Sequence, residues 1–211
     1  ELDVRPVTIS QPIRANIAVV EPDGTTTKLN EQGPVLQPDE LDALHQAVLD
    51  ASRDASWVVC CGSLPPGVPD DFYAAMVRHC HDAGLRVAVD SSGTPMAAAL
   101  TAAPDLIKPN RIELAEAVGR DLCDLGAVVD AARDLVATGV RTVVVSLGRD
   151  GALLVAADHV VHAAASISRP LSTVGAGDSL LAGYLHGVHA ADDPAAALAR
   201  AVAFGAAAVM L

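Results

Sequence analysis

The sequence predicts an α/β fold with a mostly parallel sheet. From residue 38 onward, short β-branched apolar runs take turns with segments of helical period, the signature of βαβ units. Apolar residues make up 51% of the chain and aromatics 2%, a balance that suits strands buried on both faces. The 211 residues are enough for one domain with a full core.

The elements follow in order. Residues 13–20, "IRANIAVV", and 25–30, "TTTKLN", read as strands joined by "EPDG", where Pro pre-sets one φ and Gly accepts a positive one. They precede the alternating part, as an edge hairpin or a small separate sheet. "PDELDALHQAVLDAS" (38–52) reads as a helix with Asp39 at the N-cap and Leu41, Leu44, Val48 and Leu49 on one face. "WVVCC" (57–61) is a short buried strand, "GSLPPGVP" a loop, and "DDFYAAMVRHCHDAG" a helix closed by Gly84 at C′. "LRVAVD" is a strand, "TPMAAALTA" a helix, "DLIKP" a strand, and "NRIELAEAVG" a helix capped by Asn110. "VVDAARDLVATG" is a helix ending at Gly139, and "RTVVVSLG" a strand. "GALLVAA" and "HVVHAAA" make a hairpin. Ala-rich helices over 175–190 and 194–210 follow.

The formal charge of −12 argues against a nucleic-acid partner. It leaves room for a local anion site. Cys60, Cys61, Cys80 and Cys123 form no C-x-x-C pair and read as buried reduced thiols, with zinc or a disulfide as the alternative. His186 and His189 stand three apart on a helix and read as surface residues. No apolar span is long enough for a bilayer, and no signal peptide is visible. The expectation is a cytoplasmic protein with no membrane partner. The chain begins "ELDVRPVT", without an initiator Met, which reads as a missing N-terminus.

Ligands of open parallel sheets bind beyond the carboxyl ends of the strands. Four loops at such ends are rich in Gly and polar residues, "GSLPPG", "DSSG", "KPNRIE" and "SLGRDG", and "TVGAGD" is a fifth loop of similar type. In the last, the N–H groups of Gly175, Ala176 and Gly177 at a helix N-terminus suit an anion hole. Asp178 beside it would repel a phosphate that is merely held. It makes sense if phosphate moves to a hydroxyl whose proton the carboxylate accepts. The alternative is a Gly-rich turn with Asp178 capping the helix. G-x-x-x-x-G-K-[ST], G-x-G-x-x-G after a strand, H-R-D and D-F-G are all absent.

"STVGAGDSLLAG" resembles the C-terminal signature of the PfkB, or ribokinase-like, carbohydrate kinases. "GSLPPGVPDDFY", "VAVDSSG", "LIKPNRIEL" and "VVVSLGRDGALLV" follow that family's order, so the resemblance covers nearly all of the chain. It implies a three-layer α/β/α sandwich with a small β-lid. Ser172, where ribokinases carry Asp, points to the hexose-phosphate branch. "VVEPDGTTTKLNEQGP" is most similar to enzymes acting on fructose 1-phosphate. The implied reaction transfers phosphate from ATP to O6 of fructose 1-phosphate; tagatose 6-phosphate and fructose 6-phosphate are the other acceptors of the branch.

The resemblance carries roles residue by residue. Asp178 matches the catalytic base, and Gly175, Ala176 and Gly177 the anion hole. Lys108, Asn110 and Glu113 match the N-x-x-E element that places ATP phosphates and, indirectly, Mg²⁺; Glu113 as a plain first-turn acid is the alternative. Ser146, Gly148 and Gly151 match the nucleotide-phosphate loop, against an ordinary hairpin turn. Ser63 matches a sugar-phosphate contact, against a turn serine. Arg14 matches a lid arginine reaching the substrate phosphate, against an exposed strand arginine. Residues 1–36 would be lid strands and 37–211 a partial kinase core. The lid would stand outside the main sheet, bring a homodimer together, and aim Arg14 at a cleft shared by Ser63 and Asp178. The family's earlier segment, with a Gly-Gly element and a sugar-binding Asp, has no match here. Neither has its C-terminal "PG" segment, which serves adenine and a monovalent cation. The competing function is a nucleotide-binding or dimerisation fragment without catalysis; a regulatory ATP-binding subunit is a weaker third.

Overall fold

The computed structural model describes residues 3–21, 26–167, 171–190 and 193–210. The first two strands, β1 (Asn16–Val20) and β2 (Thr26–Asn30), form a two-stranded sheet of their own. The "EPDG" turn expected between them falls largely outside the described residues. By contact density the chain divides into two compact units, Glu1–Ala18 with Lys28–Pro104, and Val19–Thr27 with Asp105–Leu211.

The first unit holds α1 (Pro38–Ala51), β3 (Trp57–Cys61), α2 (Phe72–Asp82), β4 (Arg86–Asp90) and α3 (Gly93–Leu100). β3 and β4 pair in parallel, from Trp57 opposite Arg86 to Cys61 opposite Asp90. Val58, Cys60, Val87 and Val89 are buried with Met76, Val77 and Cys80 of α2. α2 ends as expected, with Gly84 just past it at φ 75°.

Two expectations here need correction. The N-cap of α1 is Gln37, not Asp39. Pro38 takes the first helical position, where its fixed φ fits and its missing N–H costs nothing. Glu40 then closes a capping box on Gln37. The strand "WVVCC" is buried only at alternate residues: Val58 and Cys60 are inside, Val59 and Cys61 exposed. Neighbouring side chains on a strand point to opposite faces, so Cys60 and Cys61 do not share one environment. Burial pushes the Cys60 thiol up to about 12. Cys123 is exposed as well, and all four cysteines are free thiols.

The second unit holds β5 (Leu106–Ile107), α4 (Arg111–Val118), α5 (Leu125–Ala137), β6 (Thr142–Ser146), β7 (Ala152–Ala156), β8 (Val160–Ala163), α6 (Ala176–His189) and α7 (Pro194–Val209). β5 and β6 run parallel; β6–β7 and β7–β8 are antiparallel. Parallel pairing occurs where a helical crossover joins the strands, and antiparallel pairing where short turns do. Val143, Val144, Val145, Leu153, Leu154 and Val155 are fully buried, each contributing about 1.5–3 kcal/mol relative to exposure. α6 and α7 pack closely because glycine leaves room: a Cβ on Gly183 would stand 2.8 Å from Phe204 Cβ and 3.0 Å from Ala201 Cα. Among the described residues no helix is long and apolar enough to cross a membrane.

Candidate active site

Each unit contains a cavity of about 610 Å³. In the first unit it opens at the carboxyl end of β3. Arg14, Ser63, Pro65, Pro66, Gly67, Ser92 and Thr94 line it, with Asn16, Asn30, Glu31 and Asp70. Gly62 turns the chain out of β3 at φ 91°. Its N–H donates to Asp90 O at 2.8 Å. Its carbonyl accepts from Ser91 Oγ at 2.9 Å and Tyr73 Oη at 3.1 Å. Ser63 therefore leaves a fixed backbone, and its Oγ accepts from Arg14 Nη1 at 2.9 Å. Ala15 N–H donates to Glu31 Oε2 at 2.8 Å, holding the residue after Arg14.

In the second unit the cavity lies where four sequence segments meet, within 146–151, 164–167, 173–180 and 202–209. Ser146, Gly148, Arg149 and Gly151 line it, with Thr173, Ala176, Gly177, Leu180, Val202, Gly205, Ala206 and Val209. The end of β6 is tied to the segment after β5: Ser146 N–H donates to Pro109 O at 3.0 Å, and Asn110 bridges to Ser146. The turn from β6 to β7 closes through Leu147 N–H to Gly151 O at 2.8 Å. Gly151 has φ 86°, and a Cβ there would collide with the Ala163 carbonyl oxygen of β8.

Asn110 caps α4 as expected. Its Oδ1 accepts from the N–H groups of Ile112 at 2.8 Å and Glu113 at 2.9 Å, while Glu113 Oε2 takes the Asn110 N–H at 2.8 Å. Both side chains thus serve the helix end, whatever else they do. Lys108 is 5% exposed. Its Nζ lies against Gly177: a Cβ on that glycine would stand 3.2 Å away.

The start of α6 answers why a helix opens on glycines and an acid. Gly175 is the N-cap, at φ 76°, a left-handed conformation that only glycine takes without strain. Ala176 and Gly177 are the first two helical residues; neither N–H is paired within the helix, and that of Ala176 donates to Thr173 O at 3.4 Å. Asp178 sits one position further, inside the first turn, so it is not the cap. Its carboxylate is exposed and accepts no hydrogen bond among the described residues. The buried Lys108 amine, the Gly177 N–H and the exposed Asp178 carboxylate thus gather at the first turn of α6.

The second cavity brings together Ser146, Gly148, Gly151, Ala176 and Gly177, with Lys108 against Gly177. The first brings together Arg14 and Ser63. Sequence reasoning missed Arg149, Thr173 and the α7 face of Val202, Gly205 and Ala206. A paired glycine signal existed: Gly183 and Gly205 mark the close approach of α6 and α7.

The sequence pattern of the pfkB family carbohydrate kinases matches residues 1–210. The chain belongs to that family. A pfkB-family relative, the 1-phosphofructokinase of Rhodobacter capsulatus, is 40% identical over 193 residues, covering 90% of this chain and 61% of that protein. The Escherichia coli phosphofructokinase-2 solved in complex with potassium superposes with a TM-score of 0.87 at 33% identity, over 94% of this chain and 65% of that one. An Arabidopsis thaliana ribokinase complexed with ribose and ATP matches with a TM-score of 0.74 at 20% identity, over 96% of this chain and 64% of that one, and supports the fold alone. The fold class is therefore the ribokinase-like α/β sandwich the sequence predicted. This pfkB-family chain spans less than two thirds of the length of these relatives.

Proposed function

We propose that this carbohydrate kinase transfers the γ-phosphoryl group of ATP to O6 of fructose 1-phosphate, giving fructose 1,6-bisphosphate and ADP. The observation that carries the phosphoryl-transfer reading is the Lys108 amine buried against Gly177 at the start of α6, one residue before the exposed carboxylate of Asp178. Similarity to a relative named 1-phosphofructokinase supports the choice of acceptor.

In this reading the second-unit cavity takes ATP. Its phosphates lie against Ser146, Gly148, Gly151 and the N–H groups of Gly175, Ala176 and Gly177, with Lys108 and Asn110 alongside. These fixed donors stabilise the charge that develops on the phosphoryl oxygens. Asp178 takes the O6 proton as the O6–Pγ bond forms. The bond from Pγ to the bridging oxygen breaks, and its electrons leave with ADP. Arg14 and Ser63 hold the phosphate already on the sugar. Mg²⁺ keeps several waters and needs only one or two carboxylates beside substrate phosphates. The half-buried Glu113, with one oxygen committed to the Asn110 N–H, would help hold Mg²⁺. When bound, Mg²⁺ supplies charge neutralisation between the phosphates. A monovalent cation is part of the proposal, supported by the potassium complex of phosphofructokinase-2.

Residues 1–36 act as a lid in this reading, and 37–211 as the kinase core. β1 and β2 form a sheet apart from the other strands, and Ile17, Val19 and Leu29 on them are exposed. A lone two-stranded ribbon is marginal in water, which supports a homodimer through the lid. Fructose 6-phosphate is the second reading, supported by the match to phosphofructokinase-2. Coupled ADP release with fructose 1-phosphate, fructose 6-phosphate and tagatose 6-phosphate tests the choice. The highest kcat/KM is expected with the first. A preference for either other sugar overturns the substrate, and ATP binding without ADP release supports the fragment reading instead.

A further inference from the structure

A carboxylate on a helix's first turn is common; a buried one tied to chain thirty residues upstream is not. Glu40 is 9% exposed. Its Oε2 accepts the Gln37 N–H at 2.8 Å and closes the capping box of α1. Its Oε1 accepts the Ser10 N–H at 2.5 Å, a bond that serves no cap. These backbone donors hold the Glu40 carboxyl below its ordinary range.

Ser10 belongs to a stretch, residues 3–15, with no helix or strand. Its placement therefore depends on discrete contacts. Four residues on, Arg14 donates to Ser63 Oγ at 2.9 Å. The loop carrying Ser63 is tied back to the start of α1, since Leu36 N–H donates to Pro66 O at 3.1 Å. The contacts close a ring: Ser10 to Glu40, Glu40 to Gln37, Leu36 to Pro66, Ser63 to Arg14, and along the chain to Ser10. Arg14 and Ser63 line the first-unit cavity; Glu40 does not.

We propose that Glu40 is a positioning residue for the sugar-phosphate subsite: by holding Ser10 it sets where Arg14 stands over Ser63. The inference rests on reading that cavity as the sugar-phosphate site. The chemistry demands a carboxylate. An amide has one acceptor oxygen, and its NH₂ would face a backbone N–H.

The test is steady-state kinetics of Glu40→Gln in the full-length gene product, alone and combined with Arg14→Ala. Alone, the substitution raises KM for fructose 1-phosphate about tenfold, the loss of one charge-assisted hydrogen bond, and leaves kcat and KM for ATP within about twofold. In the Arg14→Ala background it shifts the sugar KM by less than about twofold, because its effect runs through Arg14. Ser10→Pro removes the N–H donor and spares the capping box; it reproduces the rise and serves if the Glu40 variant does not fold. The proposal falls if the effect persists at full size without Arg14, if kcat and the ATP KM move as far as the sugar KM, or if neither variant moves the sugar KM. Arg14→Ala alone separates the two readings. If it leaves KM unchanged for all three sugar phosphates, the cavity assignment falls and takes this proposal with it. If it raises KM while Glu40→Gln and Ser10→Pro do not, only the positioning role is lost.

Discussion

The amine of Lys108 and the backbone of Gly177 stand so close that a single added Cβ would reach 3.2 Å from Nζ. Glycine at that position lets the buried Lys108 amine stand against the N-terminus of α6. Gly177→Val should therefore displace Lys108 and lower kcat by roughly 10²-fold, the scale for losing one preorganised donor. Circular dichroism should match wild type. Normal turnover in a folded Gly177→Val protein would remove the anion-hole assignment.

Asp178→Asn keeps the shape of the side chain and removes the proton acceptor. Turnover should drop by ~10²–10⁴-fold, with KM for ATP within about threefold. A variant retaining a third or more of wild-type kcat would show that another group takes the proton.

Arg14→Ala should raise KM for the sugar phosphate by about tenfold or more, and Ser63→Ala by a few-fold, since a bond from a charged donor is worth about twice a neutral one. KM for ATP should hold in both. Equal rises for ATP and sugar in either variant would mean that the change reaches beyond the first-unit cavity.

Gly151→Ala tests the turn between β6 and β7. Its φ of 86° is costly for any side chain, and the new methyl would meet the Ala163 carbonyl. A loss of about 2–3 kcal/mol is expected, or a fall in Tm of roughly 5–10 °C for a chain of this size. An unchanged Tm would mean that β8 yields without cost.

The rings of His45 on α1 and His79 on α2 lie 4.5 Å apart between centroids. Burial first, then repulsion from a charged His79, lowers the His45 pKa; Asp42 opposes the shift. The folded state therefore binds the proton less readily than the unfolded chain. The contribution to stability is complete above the ordinary value of 6.5 and is lost as pH falls through and below it. Thermal melts at pH 7.5 and 5.5 should show a lower Tm at 5.5, and His45→Gln should shrink that difference. An equal difference in the variant would place the acid sensitivity elsewhere.

Interactions within about one helical turn were readable from the amino-acid order. Asn110 was recognisable as the cap of α4 and Gly84 as the stop of α2, because such caps use donors and acceptors two to four residues away. The alternation of strands and helices was readable for the same reason, since period alone assigns a face. The cap of α1 already exceeded that reach. Asp39 has the better intrinsic preference, yet Gln37 caps, because Pro38 fits the first helical position and Glu40 closes the box.

Tertiary structure decided what depends on distant chain. That Cys60 is buried while Cys61 is exposed follows from what covers each face of β3, not from their shared apolar run. The Arg14–Ser63 bond joins residues 49 positions apart, and the Ser10–Glu40 bond joins residues 30 apart. Neither spacing has a period that a sequence could display. The "GAGD" segment shows both levels at once. Its glycines and carboxylate were legible as the opening of a helix suited to an anion. The amine of Lys108 came to rest against Gly177 only because the segment after β5 and the start of α6 pack within one unit. A buried cation finds its place through packing, and local propensity carries no term for it.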